Sequence, residues 1–125
     1  MPNSTQQYNS KIIDENTLSD KSNSQIIVEI IEYVPNSLLT KTIIKKSTGN
    51  ISVMSFNSVS EFTEKISPFD TYAQVIEGKA ELIIDKAASI LMAGEGVIIP
   101  ANTTNFIKPN GGLKMILTII KNADE

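Results

Sequence analysis

The stretch SPFDTYAQVIEGKAELII, residues 67–84, decides the fold. In its second half Ala80, Leu82 and Ile84 alternate with Lys79, Glu81 and, just past its end, Asp85. In its first half Thr71, Ala73 and Val75 share one parity, while Tyr72, Gln74 and Ile76 share the other. Period two marks a β-strand with one buried face, because successive side chains leave opposite sides of the pleat. Gly78 separates the two runs and is read as a tight turn, where glycine adopts a positive φ without steric cost. A bulge at Pro68 would invert the parity of everything after it.

The same grammar extends in both directions. SLLTKTIIKKS (37–47) meets a TGN turn before ISVMSFN (51–57), and ILM (90–92) meets AGEG before VIIP (97–100). After the PNGG turn at 109–112, LKMILTII places Leu113, Met115, Leu117 and Ile119 on one face. Short period-two runs separated by turn residues describe an all-β antiparallel sandwich or small barrel.

Upstream the pattern changes. Residues 1–24 are rich in Ser, Asn, Gln and Asp and read as a polar arm. Ser22 and Gln25 have capping-box spacing, and Ile27, Ile30, Ile31 and Val34 would share a helical face ended by Pro35. A short helix is expected over this segment, with a strand as the alternative because the run is β-branched. The domain is placed at 25–125, with the barrel proper at about 38–121 and the helix or strand as its N-terminal extension.

Composition bounds what such a domain does. The 125 residues suit one domain with one core. The net charge is −3, from 14 acidic and 11 basic residues, and every basic residue is a lysine. No basic face is available for nucleic acid, and no guanidinium fork for phosphates or carboxylates. There is no cysteine, so neither a disulfide framework nor a thiolate nucleophile is available. No apolar run reaches membrane-spanning length, and the first residues lack a signal-peptide core. A soluble, cytoplasmic protein is expected.

At this point the sequence resembles the cupin superfamily, small double-stranded β-helix (jelly-roll) barrels of the RmlC-like type. Cupins carry two motifs. The first is Gly, five residues, His-x-His, three or four residues, Glu, six residues, Gly; the second is Gly, five residues, Pro-x-Gly, two residues, His, three residues, Asn. Gly78 matches the closing glycine of the first motif, and Gly94 with Pro100 matches the opening of the second. The ligand positions differ. The glutamate position holds Thr71, and the two histidine positions hold Lys65 and Ser67, or Glu64 and Ile66 with the longer spacer. In the second motif the histidine position holds Asn105, the inner glycine Asn102 and the final asparagine Pro109. Histidine is absent from the whole sequence.

The resemblance therefore implies the barrel and not its metal chemistry. Iron, manganese, nickel, copper and zinc favour imidazole, and a lysine ammonium repels a cation. A hard ion would have to use oxygens from Glu64, Asp70 and Asn105. No cofactor is expected, and neither a dioxygenase, an oxalate-degrading nor a metal-dependent isomerase activity carries over.

Two readings of function follow. The first is a non-catalytic small-molecule binding or interaction module, with a ligand in contact with Lys65, Ser67, Thr71, Ala73, Val75, Asn105, Phe106 and Met115. Its competitor is a barrel filled by its own side chains. The second is a metal-independent isomerase or lyase acting on a sugar or small carbonyl compound, with Glu64, Lys65 or Asp70 moving the proton. Against this stands a structural use of KISPFD, with Lys65 solvated and Asp70 accepting backbone N–H groups in a turn. Tyr72, Gln74 and Ile76, together with residues 26–34, are candidates for a homodimer interface. The alternative is that 26–34 covers its own barrel.

Overall fold

Antiparallel hydrogen bonding organises the described residues into six strands. The computed structural model describes residues 23–57 and 64–121. Its strands are β1 (Ser37–Lys46), β2 (Gly49–Asn57), β3 (Asp70–Ile84), β4 (Ala87–Met92), β5 (Gly96–Ile99) and β6 (Asn105–Ile120). Their order is β1-β2-β6-β3-β4, with β5 also pairing β3.

Two long strands carry the architecture. β3 and β6 pair from Asp70↔Ile120 to Ile84↔Asn105. The first half of β3 also pairs with β5, from Thr71↔Ile99 to Gln74↔Gly96. Its second half pairs with β4, from Lys79↔Met92 to Ile84↔Ala87. The register shifts between Val75 and Glu77 and again between Gly78 and Ala80. Such bulges bend a strand, and here they let β3 and β6 pass from one layer of a sandwich to the other. The result is the all-β antiparallel architecture that the alternation predicts, in the jelly-roll form that the cupin resemblance implies.

The bend corrects two turn assignments. Gly78 and the PNGG segment do not connect strands; they lie inside β3 and β6, where Gly78 faces Leu113. Gly78 does have φ +90, and a Cβ built on it would stand 2.2 Å from the Gly112 carbonyl oxygen. The glycine serves a close crossing of two backbones, which period-two reasoning cannot distinguish from a hairpin. Gly94, by contrast, is the turn residue expected: φ is +94 and the Glu95 N–H donates to the Met92 carbonyl at 2.9 Å. Pro100 follows the last residue of β5, as expected for a residue without an N–H.

The segment before β1 is not the expected helix. Only Ile27–Glu29 forms a 3₁₀ turn, and Ile26 caps it with no side-chain hydrogen bond. The sheet has taken the carbonyls a helix would use internally. Ser55 Oγ donates to the Glu32 carbonyl at 2.8 Å, and Lys114 Nζ donates to the Val28 carbonyl. Ser22 of the capping box, like residues 1–21 of the polar arm, lies outside the described residues.

The core is assembled from the inward parity of both layers: Met54, Phe56, Ala73, Val75, Ala80, Leu82, Leu91, Ile99, Leu113 and Met115. Thr71 shares the parity of Ala73 and Val75, so Pro68 does not invert the strand. Val53 and Ser55, of opposite parity on β2, are also buried, as is Ile31 in the segment before β1. That segment lies across the outer face of the sheet as a strap.

Candidate functional site

One end of the barrel gathers the positions singled out by the two motifs. Lys65 and Asn105 form an antiparallel bridge: the Lys65 N–H donates to the Asn105 carbonyl at 2.7 Å, and the Asn105 N–H returns to the Lys65 carbonyl at 2.9 Å. Nearby, the Asn102 N–H donates to the Ser67 carbonyl at 2.6 Å and the Ala101 N–H to Asp70 Oδ1 at 2.8 Å. Two segments far apart in sequence are thus laced together. Asn102 holds φ +61, a left-handed conformation that asparagine tolerates, at the position where the cupin motif has glycine.

The side chains at this end are already engaged or point to water. Glu64, Lys65 and Asp70 are all exposed. Asp70 accepts a backbone N–H, as the structural reading expects, although the donor is distant Ala101 and not a neighbour within its own turn. Ser67 Oγ accepts the Phe69 N–H at 3.1 Å. Asn105 Nδ2 donates to the Lys65 and Thr103 carbonyls at 3.4 and 3.5 Å. An ammonium, an amide nitrogen turned toward carbonyls and two hydroxyls do not fit a first-row cation. Among the described residues no group of three Asp or Glu side chains is placed to hold a metal.

The expected ligand wall is solid. Ala73, Val75 and Met115 each have 0% of their surface exposed and belong to the core. Their sequence parity is right; what alternation along β3 and β6 does not show is that Met54 and Phe56 of β2, Leu82 of β3 and Leu91 of β4 join them in one buried cluster. Phe106 is corrected more sharply. It pairs with Ile83, while the adjacent pair Leu82↔Ile107 faces the core, so Phe106 belongs to the outer face. Thr71 remains on the inner face, half-buried between Ile99 and Ile119.

A second cluster escapes sequence reasoning. Ser55, Lys114 and Glu77 face one another across β2, β6 and β3. Lys114 is only 8% exposed, because the strap covers it. Its Nζ meets the Val28 carbonyl and lies 4.9 Å from the centroid of the Tyr33 ring. The Tyr33 hydroxyl donates to Glu77 Oε2 at 2.6 Å. Burial, then this bond and the charge of Glu77, hold the Tyr33 hydroxyl protonated well above the ordinary range of phenols. A lysine on the polar parity of a strand reads as solvated, and only the strap makes it otherwise.

The outer face beyond the strap carries an open apolar row, flanked by exposed Asp70, which shares the parity of Tyr72. Tyr72 pairs with Ile98, and they are 40% and 62% exposed. Thr118 and Ile51 continue the same row, ending at Ile44 on β1. Gln74 shares this face, opposite Ile116, whereas Ile76 falls at the bulge.

No family model matches the sequence, and no curated protein matches it. Solved structures do. A conserved protein of unknown function from Streptococcus pyogenes superposes with a TM-score of 0.75 at 20% identity, over 81% of this protein and 89% of that one. A cupin superfamily protein from Desulfitobacterium hafniense DCB-2 gives 0.75 at 21% identity, over 81% and 93%. An RmlC-like cupin from Shewanella frigidimarina gives 0.65 at 16% identity, over 73% and 82%. The protein has the cupin fold. Likeness at these identities establishes architecture and leaves activity to the protein's own residues.

Proposed function

We infer that this protein is a non-catalytic interaction module on a cupin scaffold, working as a cytoplasmic homodimer. The observation that carries the reading is a contrast across one strand. Ala73 and Val75 of β3 are sealed in the core, while Tyr72, between Thr71 and Ala73, stands 40% exposed beside Ile98 at 62%. The inside supports stability, and the outside offers apolar surface. The row Ile51–Thr118–Tyr72–Ile98 holds no charged side chain, so a second copy of the same face meets it without repulsion, as an isologous contact requires.

Sedimentation velocity tests this. The wild type is expected to sediment as a dimer, and Ile98→Lys as a folded monomer. Ile90→Lys, on the outer face of the other layer, is expected to remain dimeric. A monomeric wild type contradicts the reading.

A second reading keeps a small polar ligand at the barrel end, supported by the half-burial of Ser67, Thr71 and Asn105. The isomerase or lyase alternative gains no support from geometry, since Glu64, Lys65 and Asp70 all lie in solvent.

A further inference from the structure

The corner at which β6 changes layers contains the dipeptide Asn110–Gly111. Both residues are exposed, and a Cβ built on Gly111 would meet no heavy atom within 4 Å. Gly111 holds φ +85. The β3–β6 ladder steps from Ala80↔Pro109 to Gly78↔Leu113, which leaves residues 110–112 without register partners. This is a gap in the pairing that immobilises the rest of the strand.

We propose that Asn110 is a deamidation site in the folded protein, converting to aspartate and isoaspartate through a succinimide closed with Gly111. Base removes the Gly111 amide proton, and that nitrogen attacks the amide carbon at the end of the Asn110 side group. The bond from this carbon to the original amide nitrogen breaks, and ammonia leaves with a proton. Water then opens the imide. Attack at the former side-group carbonyl restores the ordinary linkage as aspartate; attack at the backbone carbonyl reroutes the backbone through the side group as isoaspartate. One water is consumed, one ammonia is released, and nothing is oxidised or reduced.

Three features favour this position. Gly111 has no side chain to obstruct the attacking nitrogen, and the space around it is open. Lys79, Lys108 and Glu81 line the same shallow recess as Asn110, and with Lys108 paired to Glu81 at 3.6 Å, Lys79 is left as the surplus cation near the new carboxylate. None of the other described asparagines precedes glycine: Asn23, Asn36, Asn50, Asn57, Asn102 and Asn105 precede Ser24, Ser37, Ile51, Ser58, Thr103 and Phe106, and Asn105 already donates its amide hydrogens to carbonyls. Isoaspartate adds a methylene to the backbone beside the Gly78–Gly112 crossing, where even one Cβ has no room. Modification therefore marks aged molecules by loosening the corner that joins the two layers.

The test is peptide mapping by mass spectrometry after incubation of the folded protein at mildly alkaline pH, beside the same protein in urea. Asn110 is expected to convert nearly as fast folded as unfolded, and at least tenfold faster than Asn36, Asn102 or Asn105. Asn110→Gln should abolish the product while preserving the circular dichroism spectrum. Suppression by folding of tenfold or more, or conversion no faster than at Asn36, would overturn the proposal.

Discussion

The ammonium of Lys114 lies 4.9 Å from the centroid of the Tyr33 ring. That contact ties the strap to β6 on a face that sequence parity alone would leave in water. It also explains how an 8% exposed lysine is tolerated: its charge meets a carbonyl dipole and an aromatic face.

Lys114→Met is expected to release the strap without unfolding the barrel. It leaves the Val28 carbonyl without its donor, and a buried polar group so orphaned costs about 1–3 kcal/mol. Hydrogen exchange should quicken at 27–33 and stay slow in β3 and β6. Uniform acceleration across the barrel would show that the strap is part of the global unit.

Tyr33→Phe removes the hydroxyl bond to Glu77. Bonds to charged partners contribute roughly 1.5–3 kcal/mol, and a half-buried ring places this one at the lower end. The pH dependence has a definite sign. Folding raises the Tyr33 pKa above its value of 10.0 in the unfolded state, so the native state holds the proton more tightly. The contribution is complete below pH 10 and is lost as pH rises beyond it. Urea melts above that pH should therefore decline more steeply for the wild type than for Tyr33→Phe.

The corner and the turn separate two uses of glycine. Gly94→Ala meets open space and incurs only the left-handed backbone cost, about 1–2 kcal/mol. Gly78→Ala incurs that cost and also drives a methyl to 2.2 Å from the Gly112 carbonyl oxygen. Added to overpacking, its destabilisation is expected at roughly 2–5 kcal/mol, or the variant fails to fold. Equal melting temperatures for the two variants would contradict the crossing.

Met115→Ala should open the interior that the wild type fills. A buried Met→Ala change costs roughly 2–5 kcal/mol and leaves a dry void. Thermal shift in benzene should then stabilise the variant and not the parent.

These cases show what was legible in the residues. Alternation along β3 and β6 exposes the layers, and the Gly94–Pro100 spacing exposes a turn followed by a strand end, because each is a local steric requirement. The continuity of β3 through Gly78 was hidden, since a positive φ serves a hairpin and a strand crossing equally well. The filling of the barrel was hidden too. It depends on Met54 and Phe56, which reach Ala73 and Val75 only through long-range pairing. The Lys114 cluster was the least legible, because its burial comes from a segment that sequence reads as a helix. At the barrel end the motif positions of Lys65 and Asn105 do come together, while the roles of their side chains were set by partners no spacing rule names.

Ala73, Val75 and Met115, each 0% exposed, close the described wall of the barrel to ligands, and the role proposed for the outer face rests on that closure. Methyl-resolved NMR of protein labelled at valine and methionine, titrated with sugars and small aldehydes, tests it most directly. The account predicts no saturable shift at Val75, Met54 or Met115. A saturable shift at those methyls would reveal a ligand inside the barrel and contradict it.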